Sequence, residues 1–157
     1  MQRLHRLLRH LRSTKKQAQQ VFSASAIEQV EHIIHASPLL NRFHVKLAIE
    51  VALPMHVVLR KKSARDRACA LFARHHPMHD VDYRHTFIYI NLADHRVEII
   101  NDPVTTQLLA GEQWDTVCKH ITDGFIGGDP VSGISHALHT LSTMLESAAP
   151  ATLRQKK

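Results

Sequence analysis

The sequence predicts an α/β domain, and three observations carry that prediction. Between residues 44 and 53, Val45, Leu47, Ile49 and Val51 alternate with His44, Lys46, Ala48 and Glu50, the two-residue period of a strand with one wetter face. The stretch from Thr86 to Asp102, TFIYINLADHRVEIIND, reads as two apolar strands joined by a tight polar turn. Around these lie segments whose apolar residues recur at helical spacing. At 157 residues the chain has the size of one ordinary domain, long enough to bury a core without disulfides.

In order along the chain, residues 1–20 form a basic amphipathic helix. Leu4, Leu7, Leu8 and Leu11 fall at i, i+3, i+4 and i+7, and Arg3, Arg6, Arg9 and Arg12 take the other faces. The plain reading docks the leucines on the body and leaves the arginines in water; the other reading is contact with an anionic membrane or RNA. Four leucines are a modest anchor, so any lipid attachment is reversible and salt-sensitive. The body, 21–149, begins with a helix over 26–36, capped by Ser23 or Ser25 and stopped at Ser37-Pro38. The 44–53 strand ends at Pro54, and 55–61 is a connection into a helix over 63–75, closed off at Pro77. The two further strands span 86–92 and 96–101, with Ala93-Asp94-His95 as the turn. A short helix over 105–109 is broken by Gly111. A longer one over 113–126 turns Trp114, Val117, Cys118, Ile121 and Phe125 inward. After the Gly127–Pro130 turn, a last helix to residue 147 packs through Ile134, Leu138, Leu141 and Leu145, with Pro130 in its first turn. Residues 150–157 read as a frayed tail.

Charge is distributed unevenly. Nine of the twenty Lys/Arg lie in residues 1–22 and 151–157, which hold no acid, so the body between them carries eleven against all fourteen Asp/Glu, a net −3. The basic excess belongs to the ends and does not point to a folded nucleic-acid surface. No run approaches the ~20 apolar residues that span a bilayer, and no apolar core of a secretory signal follows the N-terminal charges. The expectation is a cytoplasmic chain with at most a peripheral hold on the inner membrane. Cys69 and Cys118 sit in helical, apolar contexts and read as small buried thiols in a reducing compartment. The fourteen histidines include the spacings His32/His35, His75/His76/His79 and His136/His139, which read as surface histidines because no further ligands complete a closed metal set.

The run Leu92-Ala93-Asp94-His95-Arg96-Val97-Glu98-Ile99, with Asp102, Trp114, Phe125, Gly128 and Gly133-Ile134 at ordered spacing, resembles the TPM domain family. The Ala64-Arg65-Asp66-Arg67-Ala68 helix and the strand through Val45 to Glu50 resemble its short, soluble bacterial branch. The resemblance implies a three-layer sandwich in which a small mixed sheet of about four strands lies between helices, with a carboxylate-lined site at one edge. Family members have been proposed as acid phosphatases and as calcium-binding proteins. One loop departs from the family. Where relatives carry a Trp-Asp-Thr stretch and an Asn-Asn-Gly turn, this chain reads Met78 to His85 without a glycine, and the family's aspartate falls on His79, one step from Asp80.

Chemistry on these residues takes two forms. Asp80, Asp82 and Asp102 meet at one end of the strand pair and form a candidate site for calcium or magnesium, whereas Asp94 is a turn former at the other end. A phosphatase would add Arg84 as a phosphate contact and His79 or His85 as a proton source. Nothing in the chain calls for an organic cofactor. The preferred expectation is a non-enzymatic module that binds a protein partner or a divalent ion; the alternative is a metal-assisted phosphatase acting on small phosphoesters, for which the altered loop is the obstacle.

Overall fold

The first described helix, α1 (Ala24–Ala36), starts at Ser23, whose hydroxyl accepts the Ala26 N–H at 3.2 Å. The computed structural model describes residues 22–60, 62–75 and 84–149; the expected basic N-terminal helix and frayed tail, with Asp80 and Asp82, lie outside these. Ser37-Pro38 ends α1 but also starts α2 (Pro38–Arg42), with Pro38 in its first turn and the Ser37 hydroxyl accepting from Leu40 N–H. Proline holds Ser37 extended, which stops one helix, and lacks only an N–H that a new helix does not use.

Strand β1 (Val45–Glu50) is shorter than the alternation suggested, because its ladder with the next strand ends at Glu50. The expected connection after it holds a one-turn helix, α3 (Met55–Leu59). Helix α4 (Ala64–His75) opens with a reciprocal cap: Ser63 N–H donates to Asp66 Oδ2 at 2.7 Å and Asp66 N–H donates to Ser63 Oγ at 3.0 Å.

Strands β2 (Thr86–Asn91) and β3 (Arg96–Asn101) follow, then α5 (Pro103–Leu108), α6 (Gly111–Ile126) and α7 (Pro130–Ala148). Gly111, expected as the break after the short helix, is not what ends it: that helix stops at Leu108, and Gly111 opens α6, at a position whose N–H needs no intrahelical partner.

The sheet has the order β1-β2-β3, with β1 parallel and β3 antiparallel to β2. Among the described residues it has three strands, not the four or so that the family resemblance implied, and β1 and β3 are its edges. Every residue of β2 is buried. Val45, Ile88 and Ile90 pack on one face with Leu40, Phe43, Val117, Ile121, Ile134, Leu138, Leu141 and Leu145 of the helices. Each of the buried leucines and isoleucines contributes roughly 1.5–3 kcal/mol. Phe87, Tyr89 and Ile100 face the other way onto Ala64 and Ala68 of α4. The arrangement is therefore helices on both faces of a small mixed sheet.

Cys118 is partly covered and Cys69 is exposed, which corrects the reading of both as buried. Position 69 lies one residue from Ala68, which faces the sheet, so helical rotation turns it to solvent. Burial, with Asp115 and Glu98 nearby, pushes the Cys118 thiol up to about 11. Brief treatment with iodoacetamide at pH 8, followed by peptide mass spectrometry, should label Cys69 and leave Cys118 largely unmodified; equal labelling would contradict the packing of α6.

Candidate functional site

The end of the sheet where β2 begins and β3 ends holds the described part of the sequence-derived site. Register puts Thr86 opposite Asn101, and the flanking residues clamp each other. His85 N–H donates to Asp102 Oδ2 at 2.7 Å, and Asp102 N–H donates to the His85 carbonyl at 3.2 Å. Asp102 is the N-cap of α5, its Oδ1 accepting from Val104 N–H at 2.8 Å and Thr105 N–H at 2.9 Å. The Thr105 hydroxyl donates to Oδ2. Four donors thus occupy the roughly four lone-pair positions of one carboxylate.

Partial burial opposes ionisation of Asp102. The hydrogen bonds from Thr105, His85 and Val104 outweigh it and hold the carboxyl below its usual range. It is a poor proton acceptor, and it can ligate a metal only by giving up a cap bond. The signal for this role was in the sequence: Asp102-Pro103 has the form of a helix start, with proline in the first turn.

Arg84 is half-buried, with its guanidinium 6.0 Å from the Phe43 ring centroid. The His44 and His85 rings are 5.2 Å apart, and His44 has φ +38, a left-handed backbone conformation rare outside glycine. Among the described residues, Arg84 Nε, Thr86 Oγ1 and Asn101 Oδ1 are buried and find no hydrogen-bond partner. His44, Thr86 and Asn101 were not singled out from the sequence. Counting outward from the Ala93-Asp94-His95 turn pairs residues 86 and 101 and would have found two of them.

Asp94 lies in the β2–β3 turn, where its N–H donates to Asn91 Oδ1 at 2.8 Å. The six residues of β3 separate it from Asp102 by about 20 Å at ~3.3 Å each.

A second polar cluster lies under α4. Arg67 Nε donates to both Glu50 oxygens at 3.2 and 3.1 Å, Tyr89 donates to Glu50 Oε2 at 2.7 Å, and Asn91 Nδ2 donates to the Tyr89 oxygen at 3.2 Å. Burial raises the Tyr89 pKa, so it stays a phenol, and the bond to Glu50 raises that of Arg67. This closed network ties α4 to the sheet and leaves its members occupied with one another.

His32, His35, His136 and His139 are exposed. The His120 and His136 rings stack at 4.1 Å where α6 crosses α7. Among the described residues no three His, Cys, Asp or Glu side chains gather as a metal-binding group, and no helix is long and apolar enough to cross a membrane.

Fold and site together define a class, a small mixed sheet between helices with a polar, arginine-bearing sheet end. No protein-family model matches the chain, and no curated protein matches it. Among solved structures, the NMR structure of the BA42 protein from the psychrophilic bacterium Bizionia argentinensis is similar to this chain with a TM-score of 0.69, over 82% of this chain and 84% of that one, at 17% identity. At that identity the likeness concerns the fold alone.

Proposed function

We propose that this chain is a TPM-like domain acting as a non-enzymatic binding module, with a protein partner at the sheet end formed by Arg84, Thr86, Asn101 and Asp102. The observation that carries this reading is the saturation of the Asp102 carboxylate by four hydrogen bonds, which leaves it neither nucleophile nor base. What that end retains is unspent hydrogen-bonding capacity. Each of the three unpartnered atoms costs about 1–3 kcal/mol while it stays unsatisfied, and a polar group inserted by a partner removes that cost.

A calcium or magnesium ion in place of the protein partner is the other form of a non-enzymatic binding module. It would draw on Asp80 and Asp82, with Asp102 joining at the expense of its cap. A phosphatase using Arg84 as a phosphate clamp remains the alternative from another class. The setting is the cytoplasm, with Arg3, Arg6, Arg9 and Arg12 giving a weak, salt-sensitive hold on anionic membrane.

Turnover of p-nitrophenyl phosphate with calcium, magnesium or zinc tests the choice, together with amide-shift titration of residues 84–86 and 101–102. The expected result is no metal-dependent turnover and no saturable shift at millimolar ion. Turnover abolished by Asp80→Asn in a folded protein would overturn the non-enzymatic reading. Localised saturable shifts without turnover would make the ligand an ion instead of a protein.

A further inference from the structure

The turn end of the β2–β3 hairpin, opposite the end that holds Asp102, carries a pocket of about 370 Å³ against the last turn of α6. Its inner surface is apolar: Ile90, 2% exposed, and Val97, its partner across the β2–β3 register, are joined there by Phe125. Ile126 lines the pocket too and is 80% exposed, so most of its apolar surface stands in water.

The polar groups around the pocket fall into two sets. Asn91 and Thr122 are occupied: Asn91 Nδ2 donates to the Tyr89 oxygen, Asn91 Oδ1 accepts the Asp94 N–H, and the Thr122 hydroxyl donates to the Cys118 carbonyl at 2.9 Å. Arg96 and His95 are exposed, and among the described residues neither side chain is held by an ion pair or a hydrogen bond. No Asp or Glu among the described residues lines the pocket, and Asp123, next to Thr122 on α6, is paired with Lys119.

We infer that this pocket binds a small amphipathic monocarboxylate, its carboxylate held by Arg96 with His95 beside it and its hydrocarbon chain laid over Val97 and Phe125 against Ile126. Three observations choose this ligand. The ionisable lining groups are a cation and an imidazole, and the guanidinium fork matches the two oxygens of a carboxylate. The C-terminal end of α6 is the negative end of its dipole, which repels an anionic head and directs the apolar chain to that side, over Ile126. The volume lies at the small end of the roughly 300–1,000 Å³ range of ligand pockets, which suits one short chain and not a two-chain lipid. The hairpin turn is fixed before a ligand arrives, by the Asp94 N–H bond to Asn91 and by His95 N–H donating to the Leu92 carbonyl at 3.3 Å, so binding does not have to order it. This site does not depend on the partner-binding role proposed for the Asp102 end.

Titration of the isotope-labelled full chain with sodium octanoate at pH 7, read by amide shifts, tests the inference. Saturable shifts at millimolar octanoate should be confined to residues 90–97 and 121–127, with octan-1-ol and octylammonium binding at least about tenfold more weakly. Arg96→Gln should weaken octanoate about tenfold and bring it level with octan-1-ol, and Ile126→Asp should abolish its binding. Both residues are exposed, so both variants keep the fold, which the unshifted amides elsewhere verify. Three outcomes would each overturn the inference: no saturable shift in the unmodified chain, equal affinity for the three octyl compounds, or octanoate binding unchanged by Arg96→Gln and Ile126→Asp. Equal affinity would make the pocket a plain apolar contact for a partner's side chain.

Discussion

Asp102→Ala should lower stability by about 3 kcal/mol in urea unfolding, although the residue lies at a loop and not in the apolar core. A lost helix N-cap costs about 1 kcal/mol, and leaving the His85 N–H and the Thr105 hydroxyl without their charged acceptor costs about 1–3 kcal/mol more. Asp102→Asn keeps one accepting oxygen and should lose roughly half as much.

The effect carries a pH signature. Because the folded-state pKa of Asp102 is depressed, its stabilisation is fully present above the unfolded value, near pH 4, and is lost as pH falls through the folded value. The gap between the native chain and Asp102→Ala should therefore be constant from pH 5 to pH 7 and shrink below about pH 4. A gap under about 0.5 kcal/mol at pH 7 in the metal-free chain would mean that the carboxylate is not structural, and would return it to the candidate metal ligands.

Gly133→Ala should be similarly damaging, by about 2–3 kcal/mol, despite the better helix propensity of alanine. At the crossing of α6 and α7, a Cβ on Gly133 would lie 2.7 Å from Gly124 Cα and 2.8 Å from the His120 carbonyl oxygen, and a Cβ on Gly124 would lie 2.6 Å from Gly133 Cα. All three are backbone atoms, so relief requires the helices to move apart, and α7 carries Ile134, Ala137, Leu138, Leu141 and Leu145 into the core. Gly111→Ala is the contrasting substitution, since a Cβ there meets nothing within 4 Å. It should be neutral or stabilising by a few tenths of a kcal/mol. Thermal unfolding of the two variants side by side measures the crossing; equal melting temperatures would show that the helices adjust freely.

Much of the body could be read from residues close together in sequence. Ser23 as a cap, Pro130 in a first turn and the stripe Ile134, Leu138, Leu141, Leu145 report interactions within one or two helical turns, and each is seen as read. The same locality explains two misreadings. Ser37-Pro38 and Gly111 were taken only as stops, although proline and glycine are also tolerated where a helix opens. Strand number and the orientation of Cys69 were less legible. An edge is defined by what does not pair with it, and exposure by what packs across from it.

For the candidate site the division is sharper. Sequence alone determined that Arg84 and Asp102 share one end of the hairpin and that Asp94 sits at the other, because strands of known length joined by a short turn leave no other placement. Only the tertiary structure decided what those residues do there. The parallel register of β1 brings Phe43 and His44 to Arg84 and His85, and the same end leaves Thr86 and Asn101 polar atoms unpartnered among the described residues while it satisfies Asp102 four times over. The physical reason is that a carboxylate's chemistry depends on how many donors already hold it. At Asp102 those donors come both from the next turn of chain and from His85, seventeen residues away in sequence.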